Sequence, residues 1–121
     1  MNLAQIIKTW KNHTFSTGMT TGEDFKLFAK DFRKFVKSAL PENAKLVKYN
    51  TGHYYVSGFI EKNGKYIYFS IPDVRFFPNE WMNNILIRTA KNPRDYYGGA
   101  NNYTTIWEFK YALERMFTEG R

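Results

Sequence analysis

The chain has 121 residues, a formal charge of +7 and no cysteine, and 19% of its residues are aromatic. That length fits one domain with a single core. Disulfides, thiolate metal sites and cysteine nucleophiles are excluded, and an excess of positive charge points toward phosphates or acidic proteins as partners.

The first apolar run, Leu3 to Trp10, is interrupted by Lys8 and is too short for a signal sequence. No stretch reaches the ~20 apolar residues needed to span a bilayer. The expected setting is intracellular, in the cytoplasm. Residues 1–45 hold eight Lys/Arg and four Asp/Glu, and the remainder hold ten and seven, so the charge belongs to folded surface.

Leu3, Ile6, Ile7 and Trp10 predict a short helix from Asn2 to about Asn12. Thr20-Thr21-Gly22-Glu23 matches a capping box. The helix after it carries Phe25, Phe28, Ala29, Phe32, Phe35, Val36 and Leu40 at steps of three and four, and Pro41 stops it. Leu46 to Asn50 predicts a strand. His53–Glu61 and Lys65–Ile71 flank Asn63-Gly64, a two-residue hairpin signal. That turn sets a register: Ile60 faces Ile67, Gly58 faces Phe69 and Val56 faces Ile71. The opposite face then pairs Glu61 with Tyr66, Phe59 with Tyr68 and Ser57 with Ser70.

Residues 73–83 predict an ordered loop with Phe76, Phe77, Pro78 and Trp81. Ile85 to Thr89 predicts a further strand, and 92–102 a Gly- and Asn-rich loop. Thr105-Ile106-Trp107-Glu108 is a second capping box, opening a helix with Ile106, Phe109, Leu113, Met116 and Phe117 on one face. The expected architecture is α+β: a four-stranded antiparallel meander with two N-terminal helices and one C-terminal helix packed on it.

Three surfaces are candidates for function. Lys26, Lys30, Arg33, Lys34 and Lys37 lie on one side of the second helix, along about 16 Å. Such a stripe suits a phosphate backbone or an acidic protein, and lysines also simply solvate a helix. Tyr55, Phe59, Tyr66 and Tyr68 alternate onto one sheet face, where rings stack unpaired bases unless residues 72–83 or the first helix cover them. Segment 73–103 holds Asp73, Arg75, Arg88, Arg94, Asp95, Tyr96, Tyr97 and Gly98-Gly99. There the arginines and the Tyr96–Asn102 loop supply selectivity, or an Asp–Arg network pins the loop to the sheet.

No catalytic signature emerges. His13 and His53 have no metal-ligand spacing, and Gly98-Gly99 lacks the Lys-Ser/Thr of a phosphate loop. No catalytic residue, metal or cofactor is expected. The enzymatic alternative is a metal-dependent nuclease gathering Asp73, Glu80, Asp95 or His53. Another alternative is a protein-interaction module with an acidic partner.

Tyr54 to Ile71, Asp73-Val74-Arg75, Ile87-Arg88-Thr89-Ala90 and Asp95-Tyr96-Tyr97-Gly98-Gly99 together resemble small proteins carried by phages and plasmids of low-GC Gram-positive bacteria. The resemblance covers about residues 50–103. Several such proteins are anti-CRISPR inhibitors, which bind a host RNA-guided nuclease. It implies a non-enzymatic, anti-defence binding role without assigning any residue. Inhibitors that imitate DNA are acidic. A basic chain instead suits guide RNA, DNA or an acidic surface of the nuclease complex.

Overall fold

The structure, a computed structural model, describes residues 1–76 and 79–120. Its frame is a five-stranded antiparallel meander in the order β1-β2-β3-β4-β5. The strands are β1 (Lys45–Thr51), β2 (Val56–Lys62), β3 (Lys65–Ile71), β4 (Ile85–Ala90) and β5 (Asn102–Thr104). The helices are α1 (Leu3–Trp10), α2 (Glu23–Ser38), the one-turn α3 (Glu80–Asn83) and α4 (Phe109–Glu119).

The β2–β3 hairpin has the register set by its turn. Val56 pairs with Ile71, Gly58 with Phe69 and Ile60 with Ile67. Asn63 and Gly64 both take positive φ, at 52° and 79°, which the two-residue turn requires. The inner face of the sheet is apolar because alternate residues of every long strand are. Ile60, Ile67, Phe69, Ile71, Ile85 and Ile87 are all buried there.

The helices cover this inner face. The phenylalanines of α2 are buried as their spacing predicts. Phe32 packs against Phe69 with ring centroids 6.4 Å apart, and Phe109 of α4 meets the same ring at 6.1 Å and 81°. Trp10 of α1 and Trp81 of α3 each close edge-on against Phe28. Tyr49 Oη donates to the Ala29 carbonyl at 2.6 Å, tying β1 to α2. The outer face carries Lys48, Asn50, Ser57, Phe59, Tyr68 and Arg88. It bears no helix among the described residues and is partly covered by loop 91–101.

Several expectations need correction. There are five strands and four helices among the described residues, where four and three were predicted. The extra strand, β5, emerges from the end of the predicted 92–102 loop, and α3 lies inside the predicted 73–83 loop. Both are shorter than any periodic signal. Of the aromatics predicted in that second loop, Phe77 and its neighbour Pro78 lie outside the described residues.

The first capping box does not form. Gly22 is the N-cap of α2 with no side-chain bond, and Asp24 accepts the Phe25 amide instead. The second forms in part: Thr105 Oγ1 accepts the Glu108 amide, but helix α4 begins only at Phe109, three residues after Ile106. A reciprocal box does occur at α1, where Asn2 and Gln5 exchange side-chain bonds of 2.8 and 2.9 Å.

Candidate functional site

The basic side of α2 follows directly from the helical period. Burying the phenylalanine face against the sheet turns Lys26, Lys30, Arg33, Lys34 and Lys37 outward, and all five are exposed. Lys26 pairs with Glu23 at 2.9 Å. Among the described residues, Lys30, Arg33, Lys34 and Lys37 make no ion pair. The remaining acidic residues of α2 are turned elsewhere. Asp31 accepts the Trp10 indole N–H at 2.9 Å, and Asp24 serves loop 13–16.

Packing adds a residue that periodicity missed. A shallow groove of about 620 Å³ runs between α1 and α2, lined by Met1, Gln5, Lys8, Thr9 and Lys34. Lys8 therefore joins the stripe. Only the contact between the two helices reveals this, since nothing in the spacing of α1 says which neighbour it meets.

The outer face is organised differently. Phe59 is fully buried, and Tyr68 is half-buried beside it. Among the described residues their cover is loop 91–101, and neither α1 nor Trp81 supplies it. Tyr96 from that loop sits edge-on to Phe59 at 5.2 Å and to Tyr68 at 5.9 Å. Trp81, offered by sequence as cover, packs on the helix side of the sheet against Phe28. Phe76 is exposed and stacked by Arg75.

Arg88 anchors the covering loop. Its side chain is 2% exposed, lies over the Tyr68 ring at 4.5 Å, and donates to the Asp95 carbonyl at 2.6 Å and the Thr89 carbonyl at 3.2 Å. Its Nη1 is 4.0 Å from the Asp95 carboxylate. A buried guanidinium with these partners positions the loop.

Gly98 and Gly99 let the loop close. A Cβ at Gly99, which has φ of 75°, would lie 2.7 Å from the Thr89 carbonyl oxygen, and one at Gly98 would meet the Asp95 carboxylate.

The other predicted site residues are dispersed. Arg75 is held by Asp73 through bonds of 2.9 and 3.2 Å, approaches His53 at 3.3 Å, and stacks on Tyr54 at 4.6 Å. Arg94 is exposed on loop 91–101, and Tyr66 lies toward the hairpin end beside a separate hollow with Lys65 and Phe117.

The carboxylates named for a metal do not converge. Asp73 and Glu80 line one small cleft, whereas Asp95 is bound within its own loop. No group of three metal-ligating side chains forms among the described residues. No helix among the described residues is long and apolar enough to cross a membrane.

The helices lie on one side of the sheet, and Tyr55, Tyr68, Tyr96 and Tyr97 lie on the other. The basic stripe and the tyrosine face therefore do not adjoin.

Three aspartates pin three connections, and this makes stability acid-sensitive. Burial pushes the Asp24 carboxyl up, but hydrogen bonds from His13, Ser16 and Phe25 bring it below its ordinary value. At Asp73 burial is likewise outweighed by Arg75. At Asp95 the Lys91 amide dominates, helped by the Gly98 amide and Arg88 charge against a smaller burial effect. A depressed carboxyl contributes stability above its unfolded pKa of about 3.9 and loses it as pH falls through the lower folded value. Urea midpoints are therefore expected to hold between pH 7 and 5 and to drop below about pH 4. Asp24→Asn should flatten that acid limb, and an unchanged limb would mean Asp24 is not among its causes.

No protein-family model, curated protein or solved structure matches the chain.

Proposed function

We propose that this protein is a non-enzymatic binder of nucleic acid that grips the phosphate backbone with the outward side of α2. The observation that carries this reading is the set of four helical cations, Lys30, Arg33, Lys34 and Lys37, with no ion pair among the described residues. Charges left unpaired on a rigid helix are free to replace the counterions condensed on a phosphate backbone. Lys8 broadens the surface across the α1–α2 groove. Binding is favoured over hydrolysis because Asp73 and Asp95 are occupied by arginines and backbone amides. The resemblance to mobile-element proteins extends the reading to an anti-defence role, in which the nucleic acid belongs to a host RNA-guided nuclease complex.

Fluorescence anisotropy against sodium chloride concentration tests the binding. Four phosphate contacts predict a log–log slope of about −4 on duplex DNA. Lys30→Glu with Lys34→Glu should halve that slope and weaken binding on the order of 100-fold at moderate salt. Its melting temperature should not change, because both side chains are exposed. Absence of binding to both DNA and RNA at low salt would sink the proposal. Pull-down from host lysate, with and without nuclease treatment, then tests the nucleoprotein target. Retention after digestion would shift the reading to a direct protein contact.

A further inference from the structure

The outer face holds a second recess, on the far side of the sheet from α2. It encloses about 410 Å³ and is lined by Asn50, Tyr55, Ser57, Tyr68, Tyr96 and Tyr97. That volume lies within the range of small-molecule sites. Four of its six lining residues are tyrosines. Neither a carboxylate nor an ammonium lines it, so its ligand is uncharged where it enters.

Two of the ring walls, Tyr68 and Tyr96, are fixed before any ligand arrives. Tyr68 is wedged between Phe59 at 5.1 Å and the Arg88 guanidinium at 4.5 Å. Tyr96 is braced edge-on by Phe59 and by Tyr68, with the Lys48 ammonium 5.2 Å from its centroid. Such preorganised rings lose little freedom when a flat ligand stacks on them.

The polar groups are placed to read an edge. Asn50 Nδ2 donates a long 3.3 Å bond to Tyr96 Oη, which leaves the amide oxygen and a second N–H available. The Ser57 hydroxyl, able to donate and accept, belongs to a residue that lines the recess while being only 4% exposed overall. Tyr97 is 98% exposed at the rim and is followed by Gly98-Gly99. It is a ring without a packing partner beside a pocket of rings.

We propose that this cleft takes up one unpaired nucleobase, stacked on tyrosine and hydrogen-bonded at its edge by Asn50 and Ser57. Stacked aromatic walls combined with mixed donors and acceptors are the means by which single-stranded bases are recognised. A base still paired within a duplex cannot enter. The site stands on its own geometry and does not depend on the α2 reading.

Free nucleosides separate the two surfaces because they carry no phosphate. The test is titration of the ¹⁵N-labelled protein with adenosine, guanosine, cytidine and thymidine to millimolar concentration. Amide shifts are expected at Asn50, Ser57, Tyr68, Tyr96 and Tyr97, with little dependence on salt. Tyr97→Ala, at an exposed position, should raise the dissociation constant about fivefold or more, and Asn50→Leu should do the same by removing the edge contact. The Lys30→Glu/Lys34→Glu protein should bind nucleosides as the parent does. Three outcomes would overturn the assignment: no shifts with any nucleoside, equal shifts with methyl glucoside, or affinity unmoved by both cleft variants.

Discussion

Arg88→Ala is expected to destabilise the protein by about 3 kcal/mol, which for a chain of this size lowers the melting temperature by roughly 10 °C. The side chain is almost wholly buried and donates to two backbone carbonyls, one of them at 2.6 Å. Removing it strands the Asp95 and Thr89 carbonyls and leaves a void under the Tyr68 ring. Bonds to a charged donor are worth more than neutral ones, and a buried acceptor left unmade adds its own cost. Arg88→Lys should recover only part of the loss, because an ammonium cannot lie flat on Tyr68 while spanning two carbonyls. Thermal melts of both variants check the size of the effect. Hydrogen exchange on residues 91–101 checks its location, since the loop should open before the sheet does. A melting temperature within 2 °C of the parent protein would show that the loop does not depend on its anchor.

Gly58→Ala should be nearly as damaging, for a steric reason. A Cβ there would lie 2.5 Å from the Lys48 carbonyl oxygen and 2.8 Å from the Phe69 ring. One of these neighbours is backbone and the other is a buried core ring, so neither yields cheaply. A cost of about 3 kcal/mol is expected, at the upper end of ordinary overpacking. The close approach arises because β1 shifts register between Leu46 and Lys48, which brings Tyr49 opposite Gly58. The Tyr49 hydroxyl can then reach α2. Chemical denaturation measures the loss. Adding Phe69→Leu should return part of it if the ring is the limiting contact. If the double variant only sums the two single losses, the Lys48 carbonyl is the obstacle.

The parts of this fold that can be read from sequence are those where one local rule suffices. Asn63-Gly64 dictates a turn, the turn dictates a register, and alternation confirms which face is apolar. The α2 stripe is legible because 3.6 residues per turn place phenylalanines and lysines on opposite sides. Where local rules compete, sequence misleads. Thr20 and Glu23 have the spacing of a cap, but Asp24 accepts the Phe25 amide while also bonding His13 and Ser16, and so binds loop 13–16 to the helix start. The outer face failed for a different reason. Its cover comes from a loop with no period, and which loop closes over a sheet depends on the Arg88 anchor and the Gly98-Gly99 turn. Those residues were visible and an Asp–Arg tether was foreseeable. The edge-on contact of Tyr96 with Phe59 was not. Lys8 shows the same limit, because its place beside Lys34 depends on how two helices pack.

The register shift in β1 also bears on what this molecule does at high concentration. A straight, unprotected outer strand presents a row of amides and carbonyls that another chain can pair with, and sheets then grow into aggregates. Here one border strand is interrupted at Leu46/Lys48 and carries Lys45 and Lys48, while the other border is the three-residue β5. Neither offers a long flat template. A protein so rich in aromatic residues and strand-forming sequence thus has built-in protection against fibril growth, and that protection comes from irregular hydrogen bonding at its margins as well as from its net charge.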